Sequence, residues 1–232
     1  MTRVPTRFFN GFTMNNAPTH PEGGRGEGIQ QCNLRGLGVL ITRPRHQAQP
    51  LYNAIIQNGG KPVLFPTIEI TPPSDPALCK QQLQNAINYD DLIFISPNAV
   101  RYAIADITID HQRIFAIGGT TANLLQHNKI PHHLSPGMKT DSENLLASPL
   151  LVDMQGRRIL IIRGNGGREL LGDTLIKRGA LVDYAEVYQR RCPDVDATSL
   201  LQNWPQDIEV VVVTSNAITD NLLHLCGNDP VV

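Results

Sequence analysis

Four short turns in this chain carry the hydroxyl, amide and glycine groups that hold anions: Ser96-Pro97-Asn98, Gly118-Gly119-Thr120-Thr121, Gly164-Asn165-Gly166-Gly167 and Ser215-Asn216. Each follows a short apolar run and precedes a stretch with helical spacing, so each is expected at a helix N-terminus. There the first backbone N–H groups lack intrahelical partners and the helix dipole is positive, which favours a carboxylate or a phosphate. Arg43 and Arg163 end two such runs, and Arg168 follows the third turn; a guanidinium adds charge and fixed donors. The serines equally suit a structural task, since a serine at a strand end caps the next helix by accepting from an N–H two or three residues on. The two roles are compatible.

Other chemistries find little support. A dinucleotide fingerprint fails after Gly164 and Gly166 because Glu169 stands in the third glycine position, and Asp183 and Glu186 are poor candidates for its acidic residue. There is no phosphate-binding P-loop and no nucleophile elbow. His132 and His133 are adjacent, which on a strand points them to opposite faces, so they are expected as solvated loop residues rather than metal ligands. Thr140 and Glu143 resemble a capping box before Leu145 and Leu146. The cysteines at 32, 79, 192 and 226 form no C-x-x-C pair, which argues against a zinc site or disulfide framework and for a reducing compartment. A net charge of −1 gives no broad grip on nucleic acid, and no apolar run approaches the ~20 residues of a membrane span. A soluble, cytoplasmic protein is expected.

The turns need strands to carry them. Arg158 to Arg191 reads as a βαβ unit: the strand Ile159 to Ile162, the Gly-Asn-Gly-Gly turn, a helix with Leu170, Leu171, Thr174 and Leu175 on one face, Gly179 at its C-terminus, and an extended run from Leu181. Uniformly apolar, β-branched strands belong in parallel sheets covered on both faces. The pattern occurs twice. Val39-Leu-Ile-Thr-Arg43 matches Ile159-Leu-Ile-Ile-Arg163, Gly59-Gly60 stands where Gly179-Ala180 does, and Ile93-Phe-Ile-Ser96 matches Val212-Val-Thr-Ser215, all at offsets of about 120 residues. Such spacing implies two copies of one α/β unit.

Around these copies the chain is punctuated by proline. Residues 1–37, with Pro5, Pro18, Pro21 and several glycines, are expected to be disordered. Val63 to Ile70 should be one extended strand, and Pro72, Pro73 and Pro76 mark a boundary, as does Pro193. A helix over Pro76 to Asn88 is expected to bury Leu78, Leu83 and Ile87, a helix from Ala122 to Gln126 should follow the Gly-Gly-Thr-Thr turn, and Leu222 with Leu223 should face inward near the end. By the duplication, a further strand, a second Gly-Thr-Thr-Ala-like turn and a terminal helix are expected after Val232.

In their order and spacing these segments resemble uroporphyrinogen-III synthase: Ile-Thr-Arg-Pro at 41–44, Phe-Ile-Ser-Pro-Asn-Ala-Val at 94–100, Ile-Gly-Gly-Thr-Thr-Ala at 117–122, Ser-Glu-Asn-Leu-Leu at 142–146, Arg-Gly-Asn-Gly-Gly-Arg-Glu at 163–169, Glu-Val-Tyr-Gln-Arg at 186–190 and Val-Thr-Ser-Asn at 213–216. The resemblance runs from Val39 to Leu223. It implies an α/β fold of two flavodoxin-like parallel-sheet domains joined by a two-stranded hinge. Residues 38–72 with 190–232 would form a discontinuous and incomplete first domain, and 73–189 an inserted second. It also implies a small-molecule substrate, hydroxymethylbilane, a linear tetrapyrrole with eight carboxylates that is cyclised with inversion of ring D and loss of water. No cofactor or metal, no nucleic acid and no membrane is implied, and the complete protein would be a monomer.

The implied chemistry sets the roles. Loss of the terminal hydroxyl gives an azafulvene cation that the substituted carbon of ring D attacks through a spiro intermediate, so folding the bilane correctly is much of the task. Tyr188 occupies the family's Val-Tyr position and is the candidate for hydrogen bonding to, or protonating, the departing hydroxyl; the alternative is a tyrosine that packs the hinge. Substrate binding would fall to Arg43, Ser96, Asn98, Thr120, Thr121, Arg163, Gly164, Asn165, Gly166, Ser215 and Asn216, with Ser96 and Thr121 as binders rather than chemical actors. Two rivals stay open: a binding or sensor protein that closes on a small anionic metabolite without reacting it, and a nucleotide-binding α/β enzyme. Because part of the fold is expected beyond Val232, the 232-residue chain is expected to be a poor enzyme that aggregates or melts early.

Overall fold

The computed structural model describes residues 7–10, 33–134, 141–167 and 169–227; Thr140, Arg168 and the stretch after Gly227 lie outside the described residues. The strands are β1 (Arg7–Asn10), β2 (Gly38–Ile41), β3 (Lys61–Leu64), β4 (Glu69–Thr71), β5 (Asp91–Phe94), β6 (Arg113–Ala116), β7 (His133–Leu134), β8 (Arg158–Gly164), β9 (Leu181–Arg191) and β10 (Val210–Val213). The helices are α1 (Arg45–Gln57), α2 (Pro76–Gln84), α3 (Pro97–Ala103), α4 (Gly119–His127), α5 (Ser142–Leu146), α6 (Leu170–Lys177), α7 (Thr198–Asp207) and α8 (Asn216–Cys226). Two sheets result, in the orders β1-β10-β2-β3 and β4-β9-β8-β5-β6-β7. The first is parallel throughout, and so is the second from β9 to β7. The chain divides into two compact units, Met1–Glu69 with Arg191–Val232, and Ile70–Arg190.

Alternation along the strands builds a core on each face of each sheet. In the second unit Leu92, Phe94, Leu160 and Ile162 pack with Ala99, Val100 and Leu125, while Ile93, Ile159 and Ile161 pack with Leu145, Leu171 and Leu175. In the first, Leu40 and Val211 meet Trp204 and Leu222, while Val39 and Ile41 meet Ala48 and Ile55. Burial on both faces is why these strands contain almost no polar residue. Within the strands' apolar runs a charged residue is rare, and Asp91 is fully buried at the start of β5. Its carboxylate receives two hydrogen bonds from Arg113, at 2.6 and 3.0 Å, and two from Arg157, at 2.7 and 2.9 Å. The bonds to Asp91 hold the Arg157 guanidinium above its ordinary pKa.

Several expectations need correction. Arg7–Asn10 is not outside the fold: it pairs with β10 in parallel, on the edge that the duplication argument leaves open. The run Val63 to Ile70 is two strands in two sheets, because Pro66 lies between them and cannot donate to a ladder. The expected helix over 76–88 ends at Gln84 and tightens into a 3₁₀ turn; Cys79, Leu83 and Ala86 are buried, whereas Leu78 and Ile87 are 51 % and 41 % exposed. The cap before Leu145 is Asp141, whose carboxylate accepts from the Asn144 N–H at 2.9 Å. In α8 the buried residues are Ile218, Leu222 and Cys226, and Leu223 faces outward. Helix α4 starts at Gly119, so Thr120 and Thr121 lie within its first turn.

Candidate functional site

Strand order singles out one position in each sheet. In the second unit the chain proceeds outward from β5 to β6 and β7, then returns to place β8 and β9 on the other side of β5. Open parallel sheets leave a ligand crevice at the C-terminal ends of the strands where the order reverses in this way. Ser96 follows β5 and Gly164 closes β8, so both stand at that reversal. In the first unit the order reverses between β2 and β10, where Arg43 and Ser215 follow the strand ends.

Tyr188 joins the group in the second unit. Its ring is 1 % exposed and lies against Gly164, where a Cβ atom would stand 2.5 Å from the ring. A side chain at 164 is therefore excluded by the tyrosine. The Tyr188 hydroxyl is 3.1 Å from Ser96 Oγ, and Arg190 Nη2 donates to it at 3.4 Å. Ser96 caps α3 as expected, accepting from the Ala99 N–H at 3.1 Å. Asn165 ties the turn to β9: its N–H donates to the Tyr188 carbonyl at 2.9 Å, and its side-chain oxygen accepts from the Arg190 N–H at 2.7 Å. Gly166 and Gly167 have φ of +62° and +119° and open space around them. The glycine turn stands apart from α6, which begins only at Leu170.

Arg163 is 9 % exposed at the end of β8 and donates from Nη2 to Glu186 at 3.2 Å. Its guanidinium stacks 4.2 Å above the Tyr184 ring, and its buried Nε has no hydrogen-bond partner among the described residues. Burial pushes the Tyr184 phenol up and the neighbouring Arg163 charge pulls it back. A concavity of about 190 Å³ beside Glu186, lined by Asp75, Cys79, Gln82 and Tyr184 among others, includes neither Tyr188 nor Ser96.

The other residues read from the sequence are dispersed. Asn98 is buried in α3 and accepts from Arg101 at 3.1 Å. Thr121 is buried and Thr120 exposed. In the first unit Ser215 caps α8, accepting from the Ile218 N–H at 3.4 Å, and it and Asn216 are exposed, while Arg43 is half-buried. No group of three or more His, Cys, Asp or Glu residues is arranged to hold a metal among the described residues, and no helix there is long and apolar enough to cross a membrane. The Cys79 thiol is pushed up by burial and by Asp106, which disfavours a thiolate.

Comparison with known proteins bears on this arrangement. The family profile described as uroporphyrinogen-III synthase HemD matches residues 49–230. The chain is 36 % identical over 197 residues to uroporphyrinogen-III synthase of Escherichia coli, covering 82 % of this chain and 80 % of that one. This chain belongs to the uroporphyrinogen-III synthase family. The Salmonella typhimurium member is 34 % identical over 196 residues, with the same coverage. A crystal structure of a mutant uroporphyrinogen III synthase from Thermus thermophilus aligns with a TM-score of 0.61 at 17 % identity, over 82 % of this chain and 77 % of that one, which shows the shared fold.

Two groups, Arg190 and Asp91, are not among the site residues expected from the sequence. The Asp91 clamp depends on contacts across strands, and its signal in the sequence is an acid opening an otherwise apolar strand, whereas Arg190 reaches the Tyr188 hydroxyl from two residues on along β9. Gly164, expected among the substrate-binding residues of an anion-holding turn, has the Tyr188 ring as its immediate neighbour.

Proposed function

We propose that this chain acts as a uroporphyrinogen-III synthase: it takes hydroxymethylbilane, assists loss of the terminal hydroxyl and closes the macrocycle with ring D inverted. The observation that carries the reading is the cluster of Tyr188, Ser96 and Gly164 at the strand-order reversal of the second unit, in a chain of this family. The hydroxyl pair supplies a proton donor at the place where a parallel sheet presents ligands. Arg163, with a buried donor unpaired among the described residues, fits a carboxylate of the substrate, as do the exposed hydroxyls of Thr120 and Ser215 and the open turn at Gly166. Arg43, Asn98, Thr121, Asn165 and Asn216 belong to the same proposal as further substrate-binding groups. The azafulvene cation is reactive enough to close unaided, so the protein's contribution is measured by which isomer forms.

A coupled assay that supplies hydroxymethylbilane and reads the ratio of type III to type I uroporphyrinogen tests this. Predominant type III product is expected. Type I product at the uncatalysed rate, together with tight bilane binding, would instead identify a binding or sensor protein.

A further inference from the structure

The hydrogens of the Tyr188 and Ser96 hydroxyls can be placed by counting donors and acceptors. Arg190 Nη2 lies 3.4 Å from Tyr188 Oη, and a guanidinium only donates, so the phenol oxygen accepts there. Ser96 Oγ accepts the Ala99 N–H at 3.1 Å. A single hydrogen joins the two hydroxyl oxygens, which are 3.1 Å apart. If Ser96 donated it, the phenol hydrogen would need another acceptor, yet Tyr188 is 1 % exposed and no further acceptor is in reach among the described residues. Burying an unpaired hydroxyl is costly. If Tyr188 donates it, Ser96 Oγ accepts twice and keeps its own hydrogen for a ligand, and Ser96, unlike Tyr188, is partly exposed.

We infer that Ser96 is the group that touches the departing hydroxyl, and that Tyr188 and Arg190 are positioning residues acting through it. This rests on the cyclisation reading above. As the C–O bond of the hydroxymethyl group breaks, its electron pair stays with oxygen, which takes the Ser96 proton and leaves as water; the pyrrole nitrogen lone pair forms the azafulvene cation. The Tyr188 proton moves to Ser96 Oγ, and the Arg190 guanidinium offsets the phenolate charge. After ring closure the attacking pyrrole releases one proton on becoming aromatic again, and this proton returns through Ser96 to Tyr188. Arg190 is held for this task by the Asn165 bridge, at 2.7 and 2.9 Å, that ties the turn after β8 to β9. Tyr188 thus stays essential without meeting the substrate.

Steady-state kinetics of type III formation by the whole chain tests the relay. Ser96→Ala and Tyr188→Phe should each lower kcat by about a hundredfold with little change in KM, as expected for an interaction made in the transition state. Because the residues act as a unit, the double variant should be no slower than the slower single variant. Ser96→Thr should recover most of the activity. Ser96→Asn, which keeps a helix cap but has no hydroxyl, should stay as slow as Ser96→Ala, a result that a capping role would not give. Arg190→Gln should cost about tenfold in kcat and Arg190→Lys less. Full kcat in Ser96→Ala alongside a slow Tyr188→Phe, or losses that multiply in the double variant, would overturn the assignment. Neutron diffraction needs no substrate: a Tyr188 deuterium aimed at Ser96 Oγ supports the relay, and one aimed elsewhere overturns it. A wild-type chain that forms no type III product defeats the cyclisation reading alone, and the neutron map still decides the hydroxyl arrangement.

Discussion

The two units repeat one sheet, β3-β2-β10-β1 in the first and β9-β8-β5-β6 in the second. In the first, Val39 pairs with Val210 and Pro62; in the second, Ile159 pairs with Asp91 and Val182. Each pair of registers agrees residue for residue with the repeat seen in the sequence. Where the units differ, the difference is chemical. Asp91, clamped by two arginines, stands where the first unit has Val210, and Gly164 with Tyr188 stands at the same offset as Pro44 with Ile68. A duplicated frame has thus kept its hydrophobic pattern in both copies, while the buried ion cluster and the tyrosine pocket occur in one.

The largest effect that would sharpen this contrast comes from Asp91. Asp91→Ala leaves Arg113 and Arg157 without their shared partner, and the loss of one member of a buried pair costs about 3 kcal/mol or more. Both guanidiniums keep roughly a third of their exposure, so water offsets part of the loss. A drop in Tm carried by the second unit, with hydrogen exchange in β2 and β10 unchanged, is expected. Equal loosening of both sheets would show that the units do not melt separately.

Next in size is Gly164→Ala. A methyl group 2.5 Å from the Tyr188 ring forces the ring to move, and overpacking of this kind costs about 1–3 kcal/mol. Because the ring carries the hydroxyl that meets Ser96, kcat should fall with stability. Gly166→Ala has open space and pays mainly for its positive φ, roughly 1 kcal/mol, so it should be the milder change. The reverse order would mean that the turn matters through its open backbone at Gly166 rather than through the room Gly164 leaves for the Tyr188 ring.

Why some of this was legible and some not follows from range. The strands and their following turns are local patterns: Leu92 to Phe94 and Ile159 to Ile162 are apolar throughout because both faces are covered, and Ser96 and Ser215 cap by bonding three residues on. The parallel order could be read because the pattern recurs. Helix faces were less secure, since Leu78 and Cys79 both fit a helical period and only packing places Cys79 inward. Most hidden were contacts between residues far apart in sequence: Arg157 with Asp91, Tyr188 with Ser96, and Arg7–Asn10 with β10. Composition argued against that last strand, because proline and glycine on both sides of Phe8-Phe9 outweighed a short apolar core.

That strand offers a smaller test of the repeat. Arg7–Asn10 pairs with Val210–Val213 in the register by which Arg113–Ala116 pairs with Asp91–Phe94, so β1 takes in the first sheet the place of β6 in the second. Removing residues 1–12 should leave the β10 edge unpaired and speed exchange of its amides by about tenfold, with β5 unaffected. Unchanged exchange in β10 would break the correspondence at this strand.

The smallest expected effect compares the two capping serines. Both accept an N–H three residues on, Ser96 at 3.1 Å and Ser215 at 3.4 Å, and both end strands beside a reversal of order. Ser215 has no tyrosine hydroxyl beside it among the described contacts and is exposed, so its bond is longer and competes with water. Ser215→Ala should therefore cost about 0.5–1 kcal/mol, the lower part of the range for losing a cap, and any loss of substrate grip should appear in KM rather than in kcat. Ser96→Ala should cost more in stability, because the Tyr188 hydroxyl loses its acceptor in a buried place. Thermal melts and kinetics of the two variants, measured side by side, check the difference. Equal losses in stability and in kcat at both serines would mean that the tyrosine adds nothing to the second unit's turn, and that the two copies diverged in sequence without dividing the work.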